Sequence, residues 1–127
     1  MKSKEITIRI NNTPEKVVLQ YSTEPPSIRL TLRGSIHTHY GDDLFLCFLK
    51  LRTALPGFEF LCKGAKKNVH PSRASLQMSS GIMAYELELG KQALRQNLTN
   101  IFDYEDKELT NDLFAQHIFF DQWIKSL

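Results

Sequence analysis

Cysteine is scarce. Cys47 and Cys62 are the only two in 127 residues, both fall in apolar stretches, and they have no C-x-x-C spacing. That argues against a disulfide framework, a metal site or a redox pair and leaves two buried, reduced thiols as the expectation. An excess of one charge is lacking too. Sixteen basic side chains stand against 14 acidic ones, a net charge of +2, so composition does not announce a nucleic-acid binder. Long apolar runs are missing: the richest window, Leu44 to Leu51, falls far short of the ~20 residues a membrane span requires. The charged start, Met1 to Glu5, leads into the alternating stretch ITIRINN rather than a secretory apolar run. A cytoplasmic protein without a membrane partner is therefore expected, and the glycosylation-like Asn97-Leu98-Thr99 carries no meaning. No repeat or low-complexity segment occurs. What remains is ordinary globular material, 42% hydrophobic and 24% charged, of a length suited to one domain, 1–127.

Alternation organises the first third of the chain. Ile6, Ile8 and Ile10 form one face of a strand, Asn11 to Pro14 read as a turn, and Val17, Leu19 and Tyr21 continue as a second strand. Glu24-Pro25-Pro26 interrupts the ladder because proline has no amide hydrogen, and Ile28, Leu30 and Leu32 mark a third strand. Short connections imply an antiparallel meander. From Asp42-Asp43, a capping signal, Leu44, Phe48, Leu51 and Leu55 follow helical spacing until Pro56-Gly57. FEFLC resumes alternation with Phe58, Phe60 and Cys62 on one face. IMAYELEL places Met83, Tyr85, Leu87 and Leu89 inward with Glu86 and Glu88 outward. Leu94, Leu98 and Ile101 have helical spacing, although NLTNIF could equally close the sheet as a strand; a short helix is expected. A terminal helix is expected from Glu108 or Thr110, with Leu113, His117, Phe120, Ile124 and Leu127 as its stripe and Phe114, Ile118 and Trp123 alongside. The expected fold class is α+β: an antiparallel β-sheet with helices 42–55 and 110–126 packed on one face. Phe48, Leu51, Phe60, Tyr85 and Trp123 are expected in its core.

Three stretches invite a chemical reading. The segment from Cys62 to Gly81 carries Lys63, Lys66, Lys67, His70 and Arg73 and no acidic residue. It lacks phosphate-loop spacing, so a solvated loop is expected, with a protein contact or an anion-binding loop as its alternatives. Its serines have no G-x-S-x-G elbow and no base at catalytic spacing. His37-Thr38-His39 would put two imidazoles on one face of a strand, but nothing nearby completes a metal site. Neither a cofactor nor a metal nor catalysis is expected. The segment from Asp103 to Asp112 is the acidic counterpart. Asp103, Glu105, Asp106 and Glu108 surround Tyr104, an aromatic that could anchor an interface with a basic partner.

Asn68-Val69-His70-Pro71-Ser72, Met78, Gly81, Ala84-Tyr85, Gly90, Ile101-Phe102-Asp103 and Trp123 resemble a family of small bacterial proteins. Its sequences run N-V-x-P-S, then M-x-x-G-x-x-A-Y-x-L-x-x-G, then I-F-D. The likeness covers residues 62–103 and, loosely, the last helix. Arg73-Ala74-Ser75 and Ser79-Ser80 depart from it where methionine and glycines are frequent. The whole profile is also similar in type to cytosolic immunity proteins of bacterial polymorphic-toxin and contact-dependent growth inhibition systems. That resemblance implies a non-enzymatic protein that binds a cognate toxin domain, a nuclease in the first instance, and occludes its active site. The alternative is a nucleic-acid- or nucleotide-binding regulator using the basic loop 63–73.

Overall fold

Three tight turns fold the first forty residues into a meander of β1 (Lys2–Ile10), β2 (Thr13–Thr23), β3 (Pro26–Leu32) and β4 (Ser35–Tyr40) in the computed structural model, which describes residues 1–127. Asn11 and Asn12 turn the first hairpin with φ of 51° and 63°, and Arg33 and Gly34 turn the third with 50° and 82°. Positive φ at both turn residues matches the right-handed twist of the flanking strands, and asparagine and glycine tolerate it best. The prolines sit where a missing amide does no harm: Pro25 is in the turn and Pro26 is the first residue of its strand.

A fifth short strand, β5 (Glu59–Phe60), pairs with β1, giving the antiparallel order β4-β3-β2-β1-β5. One face of this sheet is covered by α1 (Leu44–Ala54), which lies over β3 and β4. Asp43 starts the helix by accepting the Leu46 amide at 2.8 Å. Ile8, Leu19, Ile28 and Leu30 meet Leu44, Phe48 and Leu51, all of them fully buried. Phe48 sets its ring edge-on against Phe60 and Phe102, with centroids 5.7 and 5.5 Å away. A second antiparallel sheet, β6 (Val69–His70), β7 (Met83–Glu86) and β8 (Leu98–Asn100), closes the other side of this core. Between β6 and β7 lies α2 (Arg73–Ser79), and α3 (Ala115–Ser126) rests on β6. The architecture is α+β and antiparallel, as expected. None of its helices is long and apolar enough to cross a membrane.

Several local expectations are corrected. Residues 94–100 form a 3₁₀ turn and then a strand, not a helix. The Asn97 side chain takes the Leu94 amide at 2.8 Å, and Leu98 pairs with Tyr85. The alternation expected over β7 holds only in part. Ala84 is buried in place of Met83 and Tyr85, which are half-buried, whereas just beyond the strand Leu87 is buried as expected and Leu89 is exposed. The small Ala84 side chain fits beneath the crowded core where the two large ones do not. The serine-rich stretch after Pro71 is helical, because Ser72 and Ser75 build a reciprocal capping box. The terminal helix begins only at Ala115, where Asp112 accepts the amides of Phe114 and Ala115 at 2.7 and 3.1 Å. It packs on the second sheet and touches α1 through Gln116, which sets its inward side, with Phe120 and Trp123 half-buried. Leu113, Ile124 and Leu127, from the expected stripe, are exposed.

Candidate functional site

The basic loop turns inward before it can face a ligand. Residues Lys63–Ala65 form a 3₁₀ turn, and Gly64 passes so close to Ile101 that an added Cβ would lie 2.7 Å from that residue's Cβ. Lys63 and Lys66, three residues apart on this turn, share the same two carboxylates. Lys63 Nζ lies 2.9 Å from Glu86 and 3.1 Å from Glu105, and Lys66 Nζ is at the same two distances. Burial alone would lower the lysines' pKa values, but hydrogen bonds to the two glutamates outweigh it and raise both. Burial likewise opposes ionisation of Glu105. Hydrogen bonds from Lys63, Lys66 and the Lys107 amide overcome it and hold the carboxyl at about 2. Two cations and two anions thus neutralise one another in a half-buried ring, which is a structural clasp between the 63–66 turn, β7 and the acidic segment.

The clasp has a pH signature. Because the Glu105 pKa is depressed from 4.5 to about 2, its stabilisation is complete above the upper value and is lost as pH falls through that window. Acid unfolding followed by circular dichroism should show this loss, and Glu105→Gln should flatten it. An identical acid transition in the variant would contradict the clasp.

His70 is also occupied. Its Nδ1–H donates to the Pro71 carbonyl at 2.8 Å, and its ring stacks on Phe120 at 4.2 Å. Burial pushes its pKa down despite that carbonyl. Of the five cationic candidates, only Lys67 and Arg73 are exposed. The serines are engaged in holding α2: Ser79 donates its hydroxyl to the Ser75 carbonyl at 2.6 Å, beside the Ser72–Ser75 box. His37 and His39 share one face of β4, and no three His, Cys, Asp or Glu side chains converge into a metal-holding group.

The acidic segment divides into two sets of side chains. Glu105 points into the clasp, whereas Asp103, Tyr104, Asp106 and Glu108 are exposed, Tyr104 by 60%. Their backbone is fastened along the basic turn. The Lys63 amide donates to Asp103 at 2.7 Å, Glu105 to Leu61 at 3.2 Å, Lys67 to Glu108 at 2.9 Å, and Thr110 to Ala65 at 2.9 Å. Asp103 lies 3.8 Å from Lys4 on β1. Beside Tyr104 a cleft of about 240 Å³ opens between β1 and the segment, floored by Leu61 and Phe102.

Beneath the site lies a group that sequence reasoning missed. Arg52 on α1 is fully buried and has no carboxylate partner. One guanidinium nitrogen donates to the Thr110 carbonyl and another to Gln116 Oε1 at 2.8 Å. Gln116 Nε2 in turn donates to the carbonyls of Gly64 and Lys66 at 2.8 and 2.9 Å. The guanidinium also lies over the Phe48 ring, 4.9 Å from its centroid. Burial lowers the Arg52 pKa to about 9. Its place four residues after Phe48, on the same helical stripe, was the one available signal. The network ties α1, the 63–66 turn and the start of α3 together behind the acidic segment.

The geometry thus defines a small α+β protein with a fastened, tyrosine-bearing acidic rim on its surface. Neither a protein-family model nor a curated protein matches the chain.

Proposed function

We propose that the protein is an immunity-type inhibitor that binds a cognate toxin domain, with the exposed residues of the acidic segment as its contact surface. The observation that carries this reading is Tyr104, exposed between Asp103, Asp106 and Glu108 on a segment pinned from below by Glu105. An exposed aromatic with two torsions, set on an already ordered backbone, loses little freedom on binding and is typical of interface anchors. The surrounding carboxylates suit a partner that presents cations, and a nuclease must do so in order to hold phosphates. The cleft beside Tyr104 offers room for one partner side chain. Such an inhibitor would act in the cytoplasm and would need neither cofactor nor metal. The alternative, a nucleic-acid or nucleotide regulator, has less to draw on, since Lys63 and Lys66 are spent in the clasp.

The test is protection and binding against the toxin domain encoded beside the gene. Asp103→Lys combined with Asp106→Lys should slow association by about tenfold or more and weaken protection. The thermal midpoint should hold, because exposed pairs such as Asp103 with Lys4 add little stability. Lys67→Ala with Arg73→Ala should leave protection intact. The opposite pattern would overturn the reading, as would salt-sensitive nucleic-acid binding that depends on Lys67 and Arg73.

A further inference from the structure

The outer edge of the large sheet is β4, which pairs with β3 alone. The Gly41 amide donates to the Pro26 carbonyl at 3.4 Å, continuing a register in which the odd-numbered residues of β4 bond to β3. In an antiparallel ladder the intervening residues then direct their N–H and C=O groups away from that neighbour. Those residues are Ile36, Thr38 and Tyr40. Only the Tyr40 carbonyl is covered, by Lys50 Nζ at 2.8 Å. Edge strands are normally guarded by lysine, proline, a bulge or shortness. Ser35–Tyr40 has six residues, no charged side chain and no proline. Its outward face shows Ile36 at 65% and Tyr40 at 61% exposure, with Thr38 between them. The opposite edge, β5, is only two residues long and carries the Arg9–Glu59 ion pair.

We propose that β4 is a self-association edge, at which two copies of this chain pair antiparallel about a two-fold axis through Thr38. In that register Thr38 of one copy faces Thr38 of the other, and each Ile36 faces the other copy's Tyr40. It is the one register in which all three open residues of both strands pair as hydrogen-bonded partners. A shift of two residues leaves Ile36 or Tyr40 overhanging, and a shift of one would oppose open groups to groups already bonded within the sheet. The sequence apolar, Thr, apolar is its own complement under two-fold rotation, as an isologous contact requires. Across the axis His37 of each copy opposes His39 of the other, a pairing free of like charge while the imidazoles are neutral. The amine of Lys50 gives up the Tyr40 carbonyl to the incoming amide of Ile36. This inference does not depend on the proposed function. The acidic rim lies beside β1, three strands away, so a dimer would leave both rims open.

Sedimentation of the full chain should show a concentration-dependent monomer–dimer equilibrium. Ile36→Lys, or Tyr40→Lys should that variant fold poorly, should leave only monomer at an unchanged thermal midpoint. Thr38→Cys reads the register. Opposed hydrogen-bonded residues lie about 5.5 Å apart between Cα atoms, within the reach of a disulfide, so mild oxidation should link two chains. Thr31→Cys, exposed on β3 next to the edge, should not link them. The native Cys47 and Cys62 are buried and do not compete. A strict monomer at the highest soluble concentration, with Thr38→Cys linking no better than Thr31→Cys, would overturn the proposal. So would protection of the Ile36, Thr38 and Tyr40 amides that appears only on adding the toxin domain, which would assign the edge to a foreign strand.

Discussion

Phe48→Ala should destabilise the protein by about 3–5 kcal/mol, a large share of the roughly 5–15 kcal/mol that holds a domain of this size together. Phe48 is fully buried at the centre of α1 and fills the junction of the two sheets, in contact with Phe60 on one and Phe102 beyond the end of the other. Three rigid elements surround it, so the vacated space cannot collapse easily. The truncation also removes the aromatic face beneath the Arg52 guanidinium and leaves that buried cation with fewer favourable contacts. Urea unfolding should show a lowered midpoint at an unchanged slope. A loss below about 1 kcal/mol would mean that the core is centred elsewhere. Trp123→Ala is the control. That ring is half-buried, with its indole N–H donating to the Lys91 carbonyl at 2.8 Å, and its removal should cost distinctly less.

Gln116→Leu should cost about 3 kcal/mol, although it replaces a polar residue by an apolar one inside the protein. Hydropathy alone would predict a gain. The buried amide accepts from Arg52 and donates to two carbonyls of the 63–66 turn, so its loss leaves the Arg52 guanidinium with the Thr110 carbonyl alone, the Lys66 carbonyl with the Val69 amide alone and the Gly64 carbonyl without its side-chain donor. Arg52→Met combined with Gln116→Leu should recover part of the loss, because removing both members leaves fewer unpaired groups than removing one. A double-mutant cycle measures that coupling. Additive effects of the two substitutions would refute the network.

These two residues also mark how far the fold was legible. The meander of β1 to β3 and the span of α1 were readable because two-residue and helical periodicities there coincide with burial on a single face. The α3 side that packs was misread for the opposite reason. Its buried anchor is a glutamine, while Phe114 and Ile118 are exposed, so the apolar pattern indicated the wrong sector of the helix. Residues 94–100 and β7 are short, and their pairing is decided by contacts distant in sequence, such as Leu98 with Tyr85. At the candidate site, Tyr104 and its carboxylates were visible as a charge run. That Lys63 and Lys66 neutralise Glu86 and Glu105 was not, since partners 20 to 42 residues away leave no local trace. The opposing charges of the two segments were read as rival surfaces, and the fold joins them.

The alternation within the acidic segment has a consequence for how such a protein can change over time. Glu105 is committed to the architecture, whereas its neighbours Asp103, Tyr104 and Asp106 are exposed and contribute nothing to the buried core. Substitutions at these three positions alter what the segment presents while the clasp beneath keeps its backbone in place. Were the segment the contact surface proposed above, a new set of side chains could be tried against a drifting partner without repeated unfolding of the scaffold, and specificity and stability would be free to vary along separate lines of descent.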